Sequence, residues 1–174
     1  FADFGYLKLL KFLHVNGCQF NNVNITTVYQ KLIDCKYTDD EEAIEGGLGL
    51  VLPCLDYMIN EMKIKFNRDV FALAIASGKI EFIKYFHDNP DIKLPDDICD
   101  TAVLKNQFHV LKYLHENNYP ISASTTEAAA KVKNYKIFKY LCDQDCEINT
   151  QRCRENLKWH SSDIRDYLDI LDGK

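Results

Sequence analysis

Three histidines and a cysteine fall at matching places along the chain: His14, His87, His115 and Cys142. Imidazole nitrogens and a thiolate are ligands that zinc prefers. A second set, Cys142, Cys146, Cys153 and His160, reads C-x3-C-x6-C-x6-H, and its first pair stands one helical turn apart. Lys11, Lys84, Lys112 and Lys139 also recur in register, a basic column that could meet phosphate or carboxylate. Asp39, Asp40, Glu41 and Glu42 make an acidic run just before Gly46, Gly47 and Gly49.

Each set has a structural reading beside the chemical one. Zinc bonds of about 2.0–2.3 Å need ligands that nearly touch, whereas packed helices lie roughly 8–10 Å apart. The recurrent histidines are therefore expected to form a structural ladder. The C-x3-C-x6-C-x6-H spacing fits no familiar zinc module, so buried or partly buried thiols are expected there. The lysine column has acids nearby, with Asp56 and Asp166 at the equivalent places, and is expected to be a solvated face. No Gly-rich phosphate loop, nucleophile elbow or paired Cys–His signature is present, so neither catalysis nor a cofactor is expected.

The elements that carry these residues repeat. GKIEFIKYFHDN (78–89), NQFHVLKYLHEN (106–117), KNYKIFKYLCDQ (133–144) and HSSDIRDYLDIL (160–171) align, with GYLKLLKFLHVN (5–16) near the start. Tyr57, Tyr85, Tyr113, Tyr140 and Tyr167 follow one another at 28, 28, 27 and 27 residues. Within 106–117, Phe108, Leu111 and Leu114 stand three apart with Val110 on the same broad face, the period of an amphipathic helix. Before each such helix lies a shorter apolar or small-residue segment: 71–76, 98–104 and 126–132. Asp69, Asp97 and Ser124 stand where a side-chain oxygen could cap it. Each unit thus reads as a short inner helix, a turn, a longer outer helix and a polar connector rich in Pro and Asn. Neither helix can bury its apolar face alone, so stability must come from stacking on neighbours.

The run A-x-x-x-G-K-I-E-F-I-K-Y-F-H-D-N at 74–89 resembles the second half of an ankyrin repeat. In that family small residues close the first helix, Gly makes the turn, and an apolar-Lys-aromatic-Leu pattern builds the second. The resemblance covers about 70–174 well and about 5–20 in part. It lacks the usual threonine–proline–leucine–histidine start, and its period is 27–28 where about 33 is usual. Shortened repeats of this kind are similar to those in proteins of amoebae and of the large DNA viruses that infect them. The implied fold is all-α, a solenoid of stacked helix–turn–helix repeats with reduced or absent β-hairpin fingers. One array is expected over 1–174: a partial unit 1–22, a unit 23–67, then 68–95, 96–122, 123–149 and a closing cap 150–174.

The unit 23–67 carries about 17 residues too many. With 25–36 as its inner helix, the surplus falls in 37–49, expected as a loop that either binds a partner or is a tolerated surface insertion. Asp39, Asp40, Glu41 and Glu42 are its candidate contact residues.

The resemblance implies binding of a partner protein through the concave face. Ala76, Ser77, Leu104, Lys105, Lys131 and Val132, just before the inter-helix turns, would face that partner. The alternative is an assembly component packing against copies of itself or a larger parent chain. The opening helix, begun at Phe1 without an inner helix, is expected to be covered by additional repeats or another chain. A net charge of -5 argues against nucleic acid as partner. No apolar run approaches the roughly 20 residues of a membrane span. Seven scattered cysteines fit free thiols in a reducing compartment, so the expected location is intracellular, cytoplasmic or nuclear (host cell or virion for a viral source).

Overall fold

The computed structural model describes residues 5–19, 26–27, 30, 41–144, 146–157 and 162–173, and these are all helix, turn or connector, with no strand among them. Ten helices are described: α1 (Gly5–Val15), α2 (Glu41–Asn60), α3 (Arg68–Ala76), α4 (Ile80–Asp88), α5 (Ile98–Leu104), α6 (Phe108–Glu116), α7 (Ala123–Val132), α8 (Tyr135–Asp143), α9 (Thr150–Leu157) and α10 (Ser162–Leu171).

From α3 onward they pair as hairpins, α3–α4, α5–α6, α7–α8 and α9–α10, and each hairpin packs on the next. The first (inner) helices meet in the order α3, α5, α7, α9. The second (outer) helices make contacts α4 to α6 and α8 to α10, and α1 packs on α2. The apolar spacing dictates this. Phe82, Ile83 and Phe86, then Val110, Leu111 and Leu114, then Ile137, Phe138 and Leu141 are fully buried and lie on one face of their helices. The inner helices contribute smaller groups, including Ala74, Ala102, Ala129 and Ala130, all fully buried. One continuous core runs from Leu10 to Leu168.

The turn between inner and outer helix has a single geometry. Gly78, Asn106 and Lys133 occupy it with φ of 71°, 59° and 60°. Each donates its N–H to a carbonyl three residues back, on Ile75, Val103 and Ala130. Gly is the natural occupant because a Cβ is strained there. Asn tolerates the region; Lys133 holds it without that advantage.

Capping differs from the expectation at all three places. Asn67 caps α3, its Oδ1 accepting from Val70 N at 3.1 Å, so Asp69 falls inside the first turn. Ser122 is the cap of α7, its N–H donating to Thr125 Oγ1 at 3.2 Å, so Ser124 is already helical. Asp97 is the cap residue of α5 but makes no cap bond; its carboxylate pairs with Arg68 at 3.0 Å instead.

The expected loop at 37–49 is corrected from Glu41 onward. Residues 41–49 are the first half of α2, which continues through Pro53 to Asn60. Three glycines there suggested flexibility, but Glu, Ala, Leu and Ile around them support helix, and at about 1 kcal/mol per Gly the rest of α2 outweighs them. Asp39, Asp40, the expected inner helix over 25–36 and Cys35 lie wholly or largely outside the described residues, as do the side chains of Glu41 and Glu42.

Candidate functional site: the seams and the inner-helix ends

The recurrent polar residues join one hairpin to the next. Tyr57 OH lies 2.9 Å from His14 Nδ1, and Tyr140 OH lies 2.9 Å from His115 Nδ1; each hydroxyl donates when the ring proton is on Nε2. Where the preceding helix has no histidine, a carboxylate accepts: Tyr85 OH donates to Asp56 at 2.6 Å, and Tyr167 OH to Asp143 at 3.1 Å. His87 departs from the series. Its Nδ1 lies 2.9 Å from the hydroxyl of Tyr119, in the following connector, while its ring stands edge-on to Tyr113.

Four of the five tyrosines recognised by spacing are therefore rungs between successive helices, while Tyr113 meets His87 through its ring. Asp56, Asp143 and Tyr119 were not legible as partners, because they stand off the histidine register. Burial raises the acid pKa of Tyr85, Tyr113, Tyr119, Tyr140 and Tyr167, with nearby groups adding to it; Asp56 does so for Tyr85 and Asp143 for Tyr167.

The lysine column sits on the same rungs. Lys11 Nζ lies 5.4 Å from the centroid of Tyr57 and Lys84 Nζ 5.9 Å from that of Tyr113, within cation–π range, and Lys112 pairs with Glu116 at 3.7 Å. Lys11 and Lys84 thus lean on rings of the following helix and Lys112 is paired within its own, which weakens the reading of a phosphate stripe.

The inner seam has its own clamps. Asp100, on α5, accepts from Ser124 Oγ at 2.6 Å and from the buried Thr125 hydroxyl, both on α7. Thr126, fully buried, donates to the Glu147 carbonyl at 2.7 Å, and Arg152 pairs with Glu127 at 3.6 Å.

The cysteines hold no metal cluster among the described residues, since no three His, Cys, Asp or Glu side chains converge there; His160 lies outside them. Cys99 and Cys153 are buried and Cys142 half-buried; burial pushes the Cys99 and Cys142 thiols up to about 12 and the Cys153 thiol to about 11. Such thiols stay protonated at neutral pH and are poor nucleophiles and ligands. The six cysteines among the described residues are thiols rather than disulfide halves.

The six residues expected to meet a partner fall at the C-terminal ends of three successive inner helices. Ala76 and Ser77 close α3, Leu104 and Lys105 close α5, and Lys131 and Val132 end α7. Leu104 is 50% exposed; Ala76, Lys105 and Lys131 are also exposed, while Ser77 and Val132 are half-buried. Ser77 is less available than expected, because its Oγ donates to the Ala74 carbonyl at 2.6 Å and accepts from Lys79 N at 3.2 Å. Two neighbours that spacing did not single out bind the turns together. Gln107 Nε2 donates to the Ala76 carbonyl at 3.3 Å, and His109 Nε2 lies 2.6 Å from the Gly78 carbonyl. Asn134 similarly donates to Asn106 Oδ1. This edge is thus a braced row of turns carrying one exposed Leu and two exposed Lys.

Comparisons with family models, with curated proteins and with solved structures return no match. No helix among the described residues is long and apolar enough to cross a membrane.

Proposed function

We propose that the chain is a non-catalytic interaction scaffold, an ankyrin-like solenoid that binds a partner protein along the edge formed by the ends of α3, α5 and α7. The observation that supports it most is the placement of Leu104, half exposed, between Lys105 on its own helix end and Lys131 on the next. An apolar centre within a polar rim is the usual anatomy of an interface between proteins. The turns beneath are fixed by Gln107, His109 and Asn134, so the surface is organised before a partner arrives. Free thiols favour a reducing, intracellular setting, and two lysines here favour an acidic partner surface.

The test begins with cross-linking in native extract and mass spectrometry to name the partner. Binding of that partner is then measured with Leu104→Ala and with Lys105→Glu combined with Lys131→Glu. Each variant should weaken binding at least about tenfold, the effect of about 1.4 kcal/mol. Unchanged affinity in both would overturn the assignment of this edge.

A further inference from the structure

The connectors between hairpins are tied unequally. Past α5 they are clamped: Tyr119 OH lies 2.9 Å from His87 Nδ1, Asp100 accepts from Ser124 and Thr125, and Thr126 donates to the Glu147 carbonyl. Between the connectors 61–67 and 89–97 the bridge among the described residues is the exposed pair Arg68–Asp97, and beside it a cleft of about 220 Å³ stays open. Its floor is apolar. Ile59 at the end of α2 and Phe71 on α3 are buried, and Ile64, Phe66 and Ile92 from the two connectors are half-buried. Phe66 and Phe71 both stand edge-on to Phe86, with centroids 5.7 and 5.4 Å away, so the floor is fixed. Lys65 and Lys93 form the rim, at the same place in successive connectors. Both are exposed, and neither has a hydrogen-bond or ion-pair partner among the described residues, backbone N–H included. Asp91 is the acid among the described lining residues, so the rim is net positive in a chain of net charge -5. The lysine pair belongs to this seam: Ile64 and Ile92 align with Ile121 and Ile148, which are followed by Ser122 and Asn149.

We propose that this cleft is a second docking site, for an acidic peptide segment of a partner protein. One apolar side chain of the peptide lies on the floor, and carboxylates on either side of it reach Lys65 and Lys93. The volume favours a peptide over a metabolite. Pockets for small molecules run to roughly 300–1,000 Å³, whereas this cleft has room for little more than one side chain. The unpartnered N–H groups of Lys65 and Lys93 add backbone donors for the peptide's carbonyls. The apolar floor expels water, and the two ammonium groups select an acidic sequence and set its register. The cleft lies at the opposite end of the hairpins from the turn edge. The nine residues of α3 separate the two by about 13 Å, at 1.5 Å per residue, so each site stands or falls without the other.

The test is fluorescence polarisation of a short fluorescein-labelled peptide, Asp and Glu flanking one central Phe, titrated with the 174-residue chain. The Kd should lie below about 100 μM and should rise with salt. Replacing the peptide's Phe by Ala should weaken binding at least about tenfold, and so should Lys65→Glu combined with Lys93→Glu, which sets like charges against one another. Asp91→Asn should tighten binding. These three positions are exposed, and far-ultraviolet circular dichroism verifies that the variants keep their helices. Lys105→Glu combined with Lys131→Glu, at the turn edge, should leave the peptide's affinity unchanged. No binding at about 0.5 mM protein would overturn the proposal, as would full affinity in the Lys65→Glu and Lys93→Glu variant. Loss of binding in the turn-edge variant would also overturn it, because the peptide would then sit on the other site. Displacement by phenylacetate at the same concentration as by unlabelled peptide would make the cleft a pocket for small carboxylates instead.

Discussion

The hydroxyl of Tyr85 donates to Oδ1 of Asp56 at 2.6 Å, tying α4 to α2 across 29 residues of sequence. It is the shortest of the tyrosine rungs and the one with a carboxylate on a helix that the sequence had assigned in part to a loop. Tyr85→Phe removes the hydroxyl and leaves the ring. Because Asp56 is exposed and can turn to water, the expected loss is about 1 kcal/mol in urea unfolding. Asp56→Asn, which keeps an acceptor oxygen, should lose less; an equal or larger loss would mean that the rung does not depend on that bond.

The direction of the pKa shifts fixes the alkaline behaviour. Tyr85, Tyr113, Tyr119, Tyr140 and Tyr167 are all raised from the ordinary value of 10, and Cys99, Cys142 and Cys153 from 9. The folded chain therefore holds protons that the unfolded chain would release. That stabilisation is complete below pH 9 and drains away as pH rises past 9 for the thiols and 10 for the phenols. Urea midpoints measured between pH 8 and pH 11 should fall steadily. Replacing Cys99 and Cys153 by Ala should flatten the first part of the fall, and a midpoint that stayed level to pH 11 would contradict the burial of these groups.

Lys133 holds a left-handed turn, φ 60°, where Gly78 does the same work without a side chain. Lys133→Gly should stabilise by about 0.5–1 kcal/mol, since relief of strain outweighs the extra freedom of the unfolded chain. Gly78→Ala should destabilise, because its φ is 71° and a Cβ would come within 3.1 Å of Gln107 Oε1. Thermal melts of the two variants should therefore move in opposite directions.

Leu111 is fully buried in the seam of α6. Leu111→Ala should cost about 2–5 kcal/mol. In a row where each hairpin completes its neighbour's core, hydrogen exchange should then quicken in α4 and α8 as well as in α6. Exchange confined to α6 would show that the hairpins fold independently.

The hairpins were legible because burial imposes a strict period: a one-residue slip at Phe108, Leu111 and Leu114 would turn the apolar face to water. The turns were legible at Gly78 for the same reason of geometry, and obscure at Lys133, where packing overrides preference. The rungs were half visible. Repetition exposed the tyrosines and histidines, but a hydroxyl accepts many partners, so Asp143 and Tyr119 left no mark in the spacing and Asp56 showed only as a break in the lysine column. The start of α2 was misjudged because glycines weigh heavily in a local reading, while a twenty-residue helix averages over them.

In these four seams the phenol is constant and its partner changes: Tyr57 and Tyr140 meet an imidazole nitrogen, and Tyr85 and Tyr167 give to a carboxylate. A unit copied along such a chain keeps its handshake as long as the next one offers any lone pair within reach. The phenol thus grants the facing residue freedom to drift, and duplicated hairpins can grow apart in sequence while still gripping one another.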